Sequence, residues 1–325
     1  METLHSDILI IGAGMAGLAC AARLKAERRD LRVLDKGRGP GGRMAARRVK
    51  IGGEDVSFDH GAQFFTARDP GFQAAVAGWE ARGAAARWVA AEAQGSDTAW
   101  VGTPGMNGPI RAMSQGLEVH WSTRALSLTR VKARWHVGDG ERTFTANTVL
   151  VAVPAEQASE LLAEPAPGLA TIPAGVVSEP CWAVMAAFVK PLAIEQDAVR
   201  DPDAPIAWAA RNSAKPSRTG KECWVLHASP ARSRELLNLP KEEVASLLLN
   251  DFADHNGIEP VTPIHVAAHR WLYAMPKPVP SSASGEPARF DAAAQIGIAG
   301  DYLHSPRVEG AWISGTALAK AVIGQ

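Results

Sequence analysis

The sequence contains little cysteine. Cys20, Cys181 and Cys223 are its three cysteines in 325 residues, and they form no CxxC pair and no cluster with histidine. This spacing provides neither a zinc site nor a disulfide framework, and single cysteines of this kind are usually small buried apolar residues. We therefore expect no metal centre and a reducing, cytoplasmic compartment.

An excess of charge of one sign is also missing. Lys and Arg total 34, Asp and Glu total 34, and the formal net charge is zero. No global field then favours DNA, RNA or an anionic membrane surface. The apolar stretch at residues 8–24 is interrupted by glycines after four aliphatic residues and has no cationic leader, so it predicts neither a signal peptide nor a membrane anchor.

Several catalytic motifs are absent from the sequence as well. No GxSxG or HExxH occurs, and the central region shows no obvious pair of acids. These absences argue against a serine hydrolase of the α/β type and a zinc peptidase. Tyrosine is scarce too, with only Tyr273 and Tyr302.

Glycine is concentrated near the start of the chain. Gly12, Gly14 and Gly17 form a GxGxxG motif between the aliphatic run Ile8–Ile11 and a helix-forming segment at 15–29. The first glycine permits the tight turn, the second lets a pyrophosphate approach the backbone, and the third allows the helix to pack on the strand. The context predicts a dinucleotide site at the helix N-terminus.

The second strand, LRVLD, ends in Asp35, eighteen residues beyond Gly17. A carboxylate at this distance is typical of one that binds the adenosine ribose of NAD or FAD. A simple NAD-binding unit would continue into another crossover helix, whereas this chain enters a glycine-rich loop that ends in Arg43. The guanidinium group suits phosphate oxygens, so the loop favours FAD over NAD.

Four segments together resemble the flavin amine oxidase superfamily, and most closely the renalase family: GAGMAGL, LDKGRGPGGRMA, FDHGAQFFTAR and AGDYLHSPRVEGAWISG. The resemblance implies an α/β fold with a Rossmann-type FAD-binding domain and an antiparallel-sheet substrate domain, as in p-hydroxybenzoate hydroxylase and the amine oxidases. We expect this FAD to be non-covalent, because none of the three cysteines lies in an evident attachment motif, and covalent attachment stays open. A helix N-terminus near Val308 would stabilise the negative charge that the flavin gains on reduction.

The resemblance also implies a set of cofactor-binding residues. These are Gly12, Gly14, Met15, Ala16 and Gly17 at the pyrophosphate, Asp35 and Lys36 at the adenosine end, Gly42 and Arg43 at the phosphate and ribityl region, His60, Gly61, Ala62 and Gln63 along the isoalloxazine, Ala125 near the adenine, and Asp301, Val308, Glu309 and Gly310 at the ribityl and flavin end.

The middle of the chain alternates in character. LEVHW, ALSLTRV and ARWHVGDG predict a β-meander, and NTVLVAVP predicts a parallel strand that rejoins the main sheet. The strand-like runs from residue 181 onward, with one helix at 240–255, indicate an antiparallel sheet. We predict an FAD domain of residues 1–70, 104–155 and 288–325, and a substrate domain of residues 71–103 and 156–287 with a return linker at 276–290.

The renalase resemblance implies a reaction. Enzymes of that family oxidise the 2- and 6-dihydro isomers of NAD(P)H by hydride transfer to flavin N5, and O2 then yields hydrogen peroxide. The partners would be a dinucleotide substrate and O2. Asn212, His227, Trp271 and Gln63 would position the nicotinamide. The basic residues Arg211, Lys215, Arg218 and Lys221 could attract the diphosphate, although a solvated basic loop is the simpler interpretation.

Two other functions remain open at this point. One is a flavin amine oxidase that acts on small amines, although the scarcity of tyrosine leaves little material for an aromatic cage. The other is a flavin-binding protein without turnover, because the signal for FAD is stronger than the signal for catalysis. The preferred dihydro isomer, the choice of NAD or NADP and the oligomeric state are also left open.

Overall fold

A computed structural model describes residues 2–95, 97–218, 220–277 and 285–324. Its helices are α1 (Met15–Ala26), α2 (Pro70–Ala81), α3 (Val89–Glu92), α4 (Gly108–Ser114), α5 (Ala155–Leu162), α6 (Pro167–Ala174), α7 (Pro230–Glu235), α8 (Lys241–Asn256) and α9 (Val308–Ile323). Its strands are β1 (Thr3–Ile11), β2 (Leu31–Leu34), β3 (Arg47–Ile51), β4 (Glu54–Phe58), β5 (Phe65–Thr66), β6 (Ala85–Arg87), β7 (Ala99–Gly102), β8 (Val119–His120), β9 (Ser127–Val131), β10 (Arg134–Gly138), β11 (Thr143–Val151), β12 (Val177–Phe188), β13 (Ala198–Arg200), β14 (Ile206–Arg211), β15 (Glu222–Ala228), β16 (His265–Lys277), β17 (Ala288–Asp291) and β18 (Ile296–Ala299).

The chain divides into two compact units. The first unit comprises Met1–Gly42, Ile110–Ser178 and Pro276–Gln325, and the second comprises Arg43–Pro109 and Glu179–Met275. Each unit is therefore assembled from segments that are distant in the sequence.

The first unit is built on a sheet in the order β17-β18-β11-β1-β2-β8. β1 pairs in parallel with both β2 and β11, and β11 pairs in parallel with β18. Ile8–Ile11 are buried throughout, as expected for a parallel strand that is covered on both faces. α5 and α6 supply apolar side chains to the core of this sheet. A doubly covered parallel sheet is the frame of a Rossmann-type domain.

The β-meander is only partly as predicted. β9 and β10 pair antiparallel, and β10 pairs antiparallel with β11. The LEVHW segment was expected to be the first strand of this meander, but its strand β8 pairs in parallel with β2 instead. The chain there is held by the bonds from Val33 N to Glu118 O and from Asp35 N to His120 O, both 3.0 Å. This segment is therefore an edge of the parallel sheet.

The second unit contains a five-stranded sheet in the order β13-β14-β15-β12-β16. The neighbours β12/β15, β13/β14 and β14/β15 are antiparallel, which agrees with the predicted antiparallel sheet. One core joins the sheet to α8, and a second core joins it to the β3–β4 hairpin. A smaller sheet in the order β5-β7-β6 completes the unit.

The compact units differ from the predicted domains at their boundaries. Residues 43–70 and 104–109 were predicted to be part of the FAD domain, but they lie in the second unit. Phe58 and Val56 of the hairpin pack against Met185 and Val225 of the larger sheet, which explains the difference for this segment. Residues 156–178 lie in the first unit because α5 and α6 contribute to its core.

Two further expectations concern segments between these elements. Residues 276–277 and 285–287 fall in the first unit, and the part of the predicted linker at 278–284 lies outside the described residues. Within the described ranges, no helix is both long enough and apolar enough to cross a membrane.

Candidate active site and cofactor cradle

The glycine motif occupies the turn between β1 and α1 in the first unit. Gly12 has φ +108°, and a Cβ there would collide with the carbonyl oxygen of Ala152. A Cβ on Gly17 would collide with the carbonyl oxygen of Gly12, whereas nothing lies within 4 Å of the position a Cβ would take on Gly14. α1 then begins at Met15 without a side-chain cap. Free N–H groups beside open space form a cradle of the kind that binds a pyrophosphate.

Asp35 connects this cradle to the loop that follows β2. Its Oδ2 accepts from Ala13 N at 2.7 Å, and its Oδ1 accepts from Gly37 N at 2.6 Å. A carboxylate has about four lone-pair sites, so each oxygen can still accept a ribose hydroxyl. Asp35 is thus both a brace of the glycine turn and a candidate ribose ligand.

Of the other predicted cofactor residues in the first half of the chain, two lie near the glycine turn or Asp35, and one binds a different side chain. Gly42 lies against the cradle, since a Cβ on it would be 3.7 Å from Gly14 Cα. Ala125 follows a segment whose Thr123 N donates to the carbonyl of Asp35 at 2.8 Å. Lys36 Nζ donates instead to Gln157 Oε1 at 3.0 Å.

The C-terminal segment of the first unit provides a second helix N-terminus. After β18, a 3-10 turn at Asp301–Leu303 leads to α9, which begins at the predicted Val308 and has no side-chain cap. Asp301 and Glu309 are buried. A Cβ on Gly310 would collide with the carbonyl oxygen of Ser305, so glycine allows the loop to fold against the start of α9. The positive end of the helix dipole at this second uncapped N-terminus can stabilise a negatively charged ligand, as at the start of α1.

Together these features fit a flavin dinucleotide. Gly14 leaves the space that a phosphate needs, Asp35 is placed for a ribose, and two helix N-termini have no side-chain cap. The residues that would hold FAD in the first unit are therefore those of the glycine turn, the Asp35 loop and the start of α9.

The DHGAQ segment lies in the second unit against the backbone of Arg43. Ala62 N donates to the Arg43 carbonyl at 2.8 Å, and a Cβ on Gly61 would collide with the same oxygen. The Arg43 guanidinium donates to Ala274 O at 3.4 Å. Glycine at position 61 is thus required by a close backbone approach.

Trp271 of β16 contacts His60 of this segment. The two rings are stacked with centroids 5.2 Å apart and an interplanar angle of 27°. Trp271 Nε1 donates to the His60 carbonyl at 2.8 Å, and His269 meets both rings edge-on. Trp271 is partly exposed, so part of its side chain can contact a ligand beside His60.

Gln63 and His227 also come together. Gln63 Nε2 lies 3.3 Å from His227 Nε2, and His227 Nε2 lies 3.2 Å from the His60 carbonyl. Burial lowers the pKa of His227 to about 4 and that of His60 to about 4, with the neighbouring His269 adding to the effect on His60. Both histidines are therefore neutral at pH 7.

Three charged side chains beside Gln63 were not anticipated as a cluster. Lys215 Nζ lies 3.0 Å from Gln63 Oε1 and 3.4 Å from Asp59 Oδ2, and Arg218 binds the same Asp59 oxygen. The exposed fractions of the side chains are 0% for Lys215, 2% for Arg218 and 0% for Asp59. Asp59 Oδ1 accepts from Met106 N at 2.9 Å. We call Asp59, Lys215 and Arg218 the buried charge cluster.

Opposing effects act on the pKa values of this cluster. Burial lowers the pKa of Lys215 to about 8, although Asp59 favours its charged form. Burial alone would raise the pKa of Asp59, but Lys215, Arg218 and hydrogen bonds reverse this and hold it below the usual value. At neutral pH the cluster therefore holds two cations and one anion.

Asn212 braces this region. Its Oδ1 accepts from Asp59 N at 3.2 Å, its Nδ2 donates to Ser57 O at 2.7 Å, and the residue is buried. These bonds tie the loop after β14 to the end of β4. Its amide is thus engaged with the backbone on both sides.

The interpretation of residues 211–221 as a solvated basic loop is wrong for two of its four cations. Lys215 and Arg218 are buried in the charge cluster. Arg211 contacts Glu222 at 2.7 Å and Asp197 at 2.8 Å, and Lys221 lies 3.5 Å from Glu54. The one local signal for the cluster is the acid Asp59 next to His60, but its partners lie more than 150 residues away in the sequence.

The described ranges contain no group of three or more His, Cys, Asp or Glu side chains that could hold a metal ion. Cys20 and Cys223 are buried and Cys181 is partly buried, and all three are free thiols. Burial raises the pKa of each thiol, so none is a reactive thiolate at neutral pH.

Solved structures similar to this chain share its fold. One is a protein assigned as a protoporphyrinogen oxidase from Exiguobacterium sp. 255-15, with a TM-score of 0.77, 13% identity and coverage of 98% of this chain and 99% of that chain. Another is putrescine oxidase bound to putrescine, with a TM-score of 0.71, 15% identity and coverage of 99% of this chain and 100% of that chain. A third is cyclohexylamine oxidase from Brevibacterium oxydans IH-35A, with a TM-score of 0.66, 12% identity and coverage of 98% of this chain and 99% of that chain.

Two family matches cover most of the sequence. Residues 10–77 match the NAD(P)-binding Rossmann-like domain, which agrees with the glycine turn and Asp35. Residues 82–323 match the family described as flavin containing amine oxidoreductase. FAD is accordingly the cofactor of this oxidoreductase, in agreement with the cradle described above. The chain belongs to the flavin containing amine oxidoreductase family.

Proposed function

We propose that the chain is an FAD-dependent oxidase of isomeric dihydronicotinamides, the 2- and 6-dihydro forms of NAD(P). When bound, FAD would supply the hydride acceptor and the redox link to O2. The overall reaction is dihydro-NAD(P) + O2 + H+ giving NAD(P)+ + H2O2. The donor ring becomes aromatic when it loses a hydride, so no side chain has to remove a proton from it.

The charge around Gln63 is the observation that carries this proposal. Two buried cations contact one buried carboxylate there, and the neighbouring histidines are neutral. A protonated alkylamine bound beside Gln63 would add a third cation next to the buried charge cluster. Like charges repel strongly where water is excluded. A dihydronicotinamide ring is neutral when it binds, and it gains a positive charge only as the hydride leaves.

Four residues of the second unit have roles in this proposal. The exposed part of Trp271 stacks on the nicotinamide ring, and Gln63 with His227 provides the polar side of the pocket. Asn212 acts indirectly, because both ends of its amide hold the backbone from Ser57 to Asp59. These groups orient the donor and do not transfer protons.

Oxidation of a small amine is the second candidate. The family description favours it, and the similar structures include oxidases of putrescine and cyclohexylamine. At 12% and 15% identity these structures support a shared fold, and they do not indicate that this chain shares their substrates. The surplus positive charge of the buried cluster argues against this candidate.

Anaerobic mixing of the FAD-loaded protein with possible donors tests the proposal. The donors are the mixture of isomers made by chemical reduction of NAD(P)+, purified 4-dihydro-NAD(P)H, putrescine and cyclohexylamine. Rapid bleaching of the flavin absorbance by the 2- or 6-dihydro isomer, with slow or no bleaching by the others, is expected. Bleaching by amines alone would establish the second candidate, and no bleaching by any donor would point to a flavin-binding protein without turnover.

A further inference from the structure

The hydrogen bonds of Gln63 determine which nitrogen of His227 carries a proton. Gln63 Nε2 is within hydrogen-bond distance of the Asp59 carbonyl, lies 3.0 Å from the Gly61 carbonyl, and lies 3.3 Å from His227 Nε2. An amide NH2 group has two hydrogens. The two carbonyl oxygens accept both, so His227 Nε2 keeps its own hydrogen and donates it to the His60 carbonyl at 3.2 Å.

The alternative assignment satisfies fewer groups. If Gln63 donated to His227 Nε2, one of the Asp59 and Gly61 carbonyls would lose its hydrogen from this amide, and His60 O would lose the bond from His227. The His60 carbonyl has two lone pairs, so it can accept from His227 as well as from Trp271. Buried carbonyl groups that lack a donor are costly.

Lys215 fixes the orientation of the Gln63 amide. Its Nζ donates to Gln63 Oε1 at 3.0 Å, and the ammonium is held by Asp59 and lies 5.1 Å from the centroid of the Trp88 ring. A flipped amide would direct its NH2 group at the ammonium and its oxygen at two carbonyl oxygens. The charge on Lys215 therefore makes one orientation of Gln63 much more favourable than the other.

The tautomer leaves Nδ1 of His227 as a hydrogen-bond acceptor. In neutral imidazole, one nitrogen donates and the other accepts. His227 is partly exposed, and its hydrogen bonds within the described part of the chain are made by Nε2. A ligand beside His227 can thus offer a donor to Nδ1, whereas a ligand that carries only acceptors would gain nothing there.

We infer that Lys215 is a positioning residue that fixes His227, through Gln63, as an acceptor which selects a ligand with an N–H group. The primary carboxamide of a nicotinamide is such a group, and a ketone in its place is not. The ligand part of this inference rests on the proposed function. The positioning part does not, because it concerns the tautomer of the protein itself.

The tautomer can be measured directly. The FAD-loaded protein is labelled with 15N-histidine, and the His227 signals are assigned by comparison with His227→Gln. At pH 7 the two nitrogen shifts should identify a single neutral form with the proton on Nε2. A proton on Nδ1, or an equal mixture of forms, would overturn the assignment.

Three lysine variants test the role of Lys215. Lys215→Met should give a mixture of His227 tautomers, while Lys215→Arg, which keeps a cationic donor, should retain most of the single form. Lys50→Met is the matched control, because Lys50 is exposed on β3 in the same unit. A His227 spectrum for K215M identical to that of the wild type would remove Lys215 from the argument. If K215M does not fold, the wild type and K50M should lose the single form as the pH rises above 8, where Lys215 loses its proton, whereas K215R should keep it because a guanidinium stays charged. Equal behaviour of the wild type and K215R on raising the pH would remove Lys215 from the argument.

The ligand part is tested with NAD+ and its 3-acetylpyridine analogue, which lacks the carboxamide N–H. Equilibrium dialysis against the FAD-loaded protein should show about a ten-fold preference for NAD+, the factor expected for one hydrogen bond. The ratio of the two affinities should fall toward one in K215M and should stay near ten in K50M. Equal affinities in the wild type would overturn the selection of N–H groups. If neither dinucleotide binds, the proposed function fails, and the NMR measurement still decides the positioning role.

Discussion

Lys215 Nζ lies 3.4 Å from Asp59 Oδ2, and neither side chain is exposed. Arg218 binds the same oxygen, so one buried carboxylate faces two buried cations. In this arrangement the three residues are not equivalent. Loss of the anion leaves two uncompensated charges in the interior, whereas loss of one cation leaves a balanced pair.

Asp59→Asn should therefore destabilise the protein strongly. An amide at this position cannot compensate Lys215 and Arg218, and uncompensated buried charges cost about 3–5 kcal/mol. The free energy of unfolding should fall by that amount in urea titrations followed by tryptophan fluorescence. Asp97→Asn provides the control, since Asp97 forms an exposed pair with Arg68 at 2.6 Å. That variant should unfold at the wild-type midpoint, and a wild-type midpoint for D59N would contradict the role given to Asp59.

Lys215→Met should be much milder than Asp59→Asn. The substitution removes the surplus cation and leaves Asp59 paired with Arg218. It also removes the donor to Gln63 Oε1, which costs about 1–3 kcal/mol for an unsatisfied acceptor. Because relief from burying the ammonium offsets part of this cost, we expect a free energy of unfolding within about 2 kcal/mol of the wild type. The same urea titrations measure it, and a loss as large as that of D59N would show that Lys215 stabilises the fold.

The lowered pKa of Lys215 should make the free energy of unfolding depend on pH. Its pKa is about 8 in the folded protein, against 10.5 for an unperturbed lysine. Between these values the unfolded chain binds a proton that the folded chain does not, so this group makes the free energy of unfolding rise with pH. Below pH 8 both states are protonated and the contribution is flat. The difference between wild type and K215M, measured from pH 7 to 10.5, should therefore rise with pH, and a difference that falls or stays constant would contradict the lowered pKa.

The parts of the site that could be predicted from the sequence are local. Gly12 needs its positive φ because the chain turns there, and Gly14 and Gly17 are needed within the next five residues. The start of α9 near Val308 follows from the amphipathic run that begins there, after the strand at 296–299. In each case the residues that determine the geometry are neighbours in the sequence.

The buried charge cluster could not be predicted in the same way. Asp59 and its partners lie on different strands and loops, and their pairing depends on how β4 packs on the larger sheet. From the sequence, Lys215 and Arg218 are indistinguishable from Lys221, which pairs with Glu54 and is partly exposed. The partner of β8 was also mispredicted, because a two-residue strand has too few residues to indicate which strand it pairs with.

Gly315 links the packing of α9 to the FAD cradle. A Cβ at this position would collide with the carbonyl oxygen of Ala16 and lie 2.9 Å from its Cα, which is backbone of the first turn of α1. Gly315→Ala should therefore push apart the two helices whose N-termini form the cradle. We expect a loss of about 1–3 kcal/mol in stability, as for overpacked cores, and a weaker hold on FAD.

The matched variant for this prediction is Gly168→Ala in α6, where nothing lies within 4 Å of the added Cβ. Both proteins are dialysed to remove weakly held FAD, and the ratio of flavin to protein absorbance is then compared. G315A should lose FAD at a free concentration at which the wild type and G168A remain saturated, because α1 can no longer keep the first turn beside Gly14 in place. Equal retention of FAD by both variants would mean that the contact between Gly315 and Ala16 does not set the geometry of the cradle.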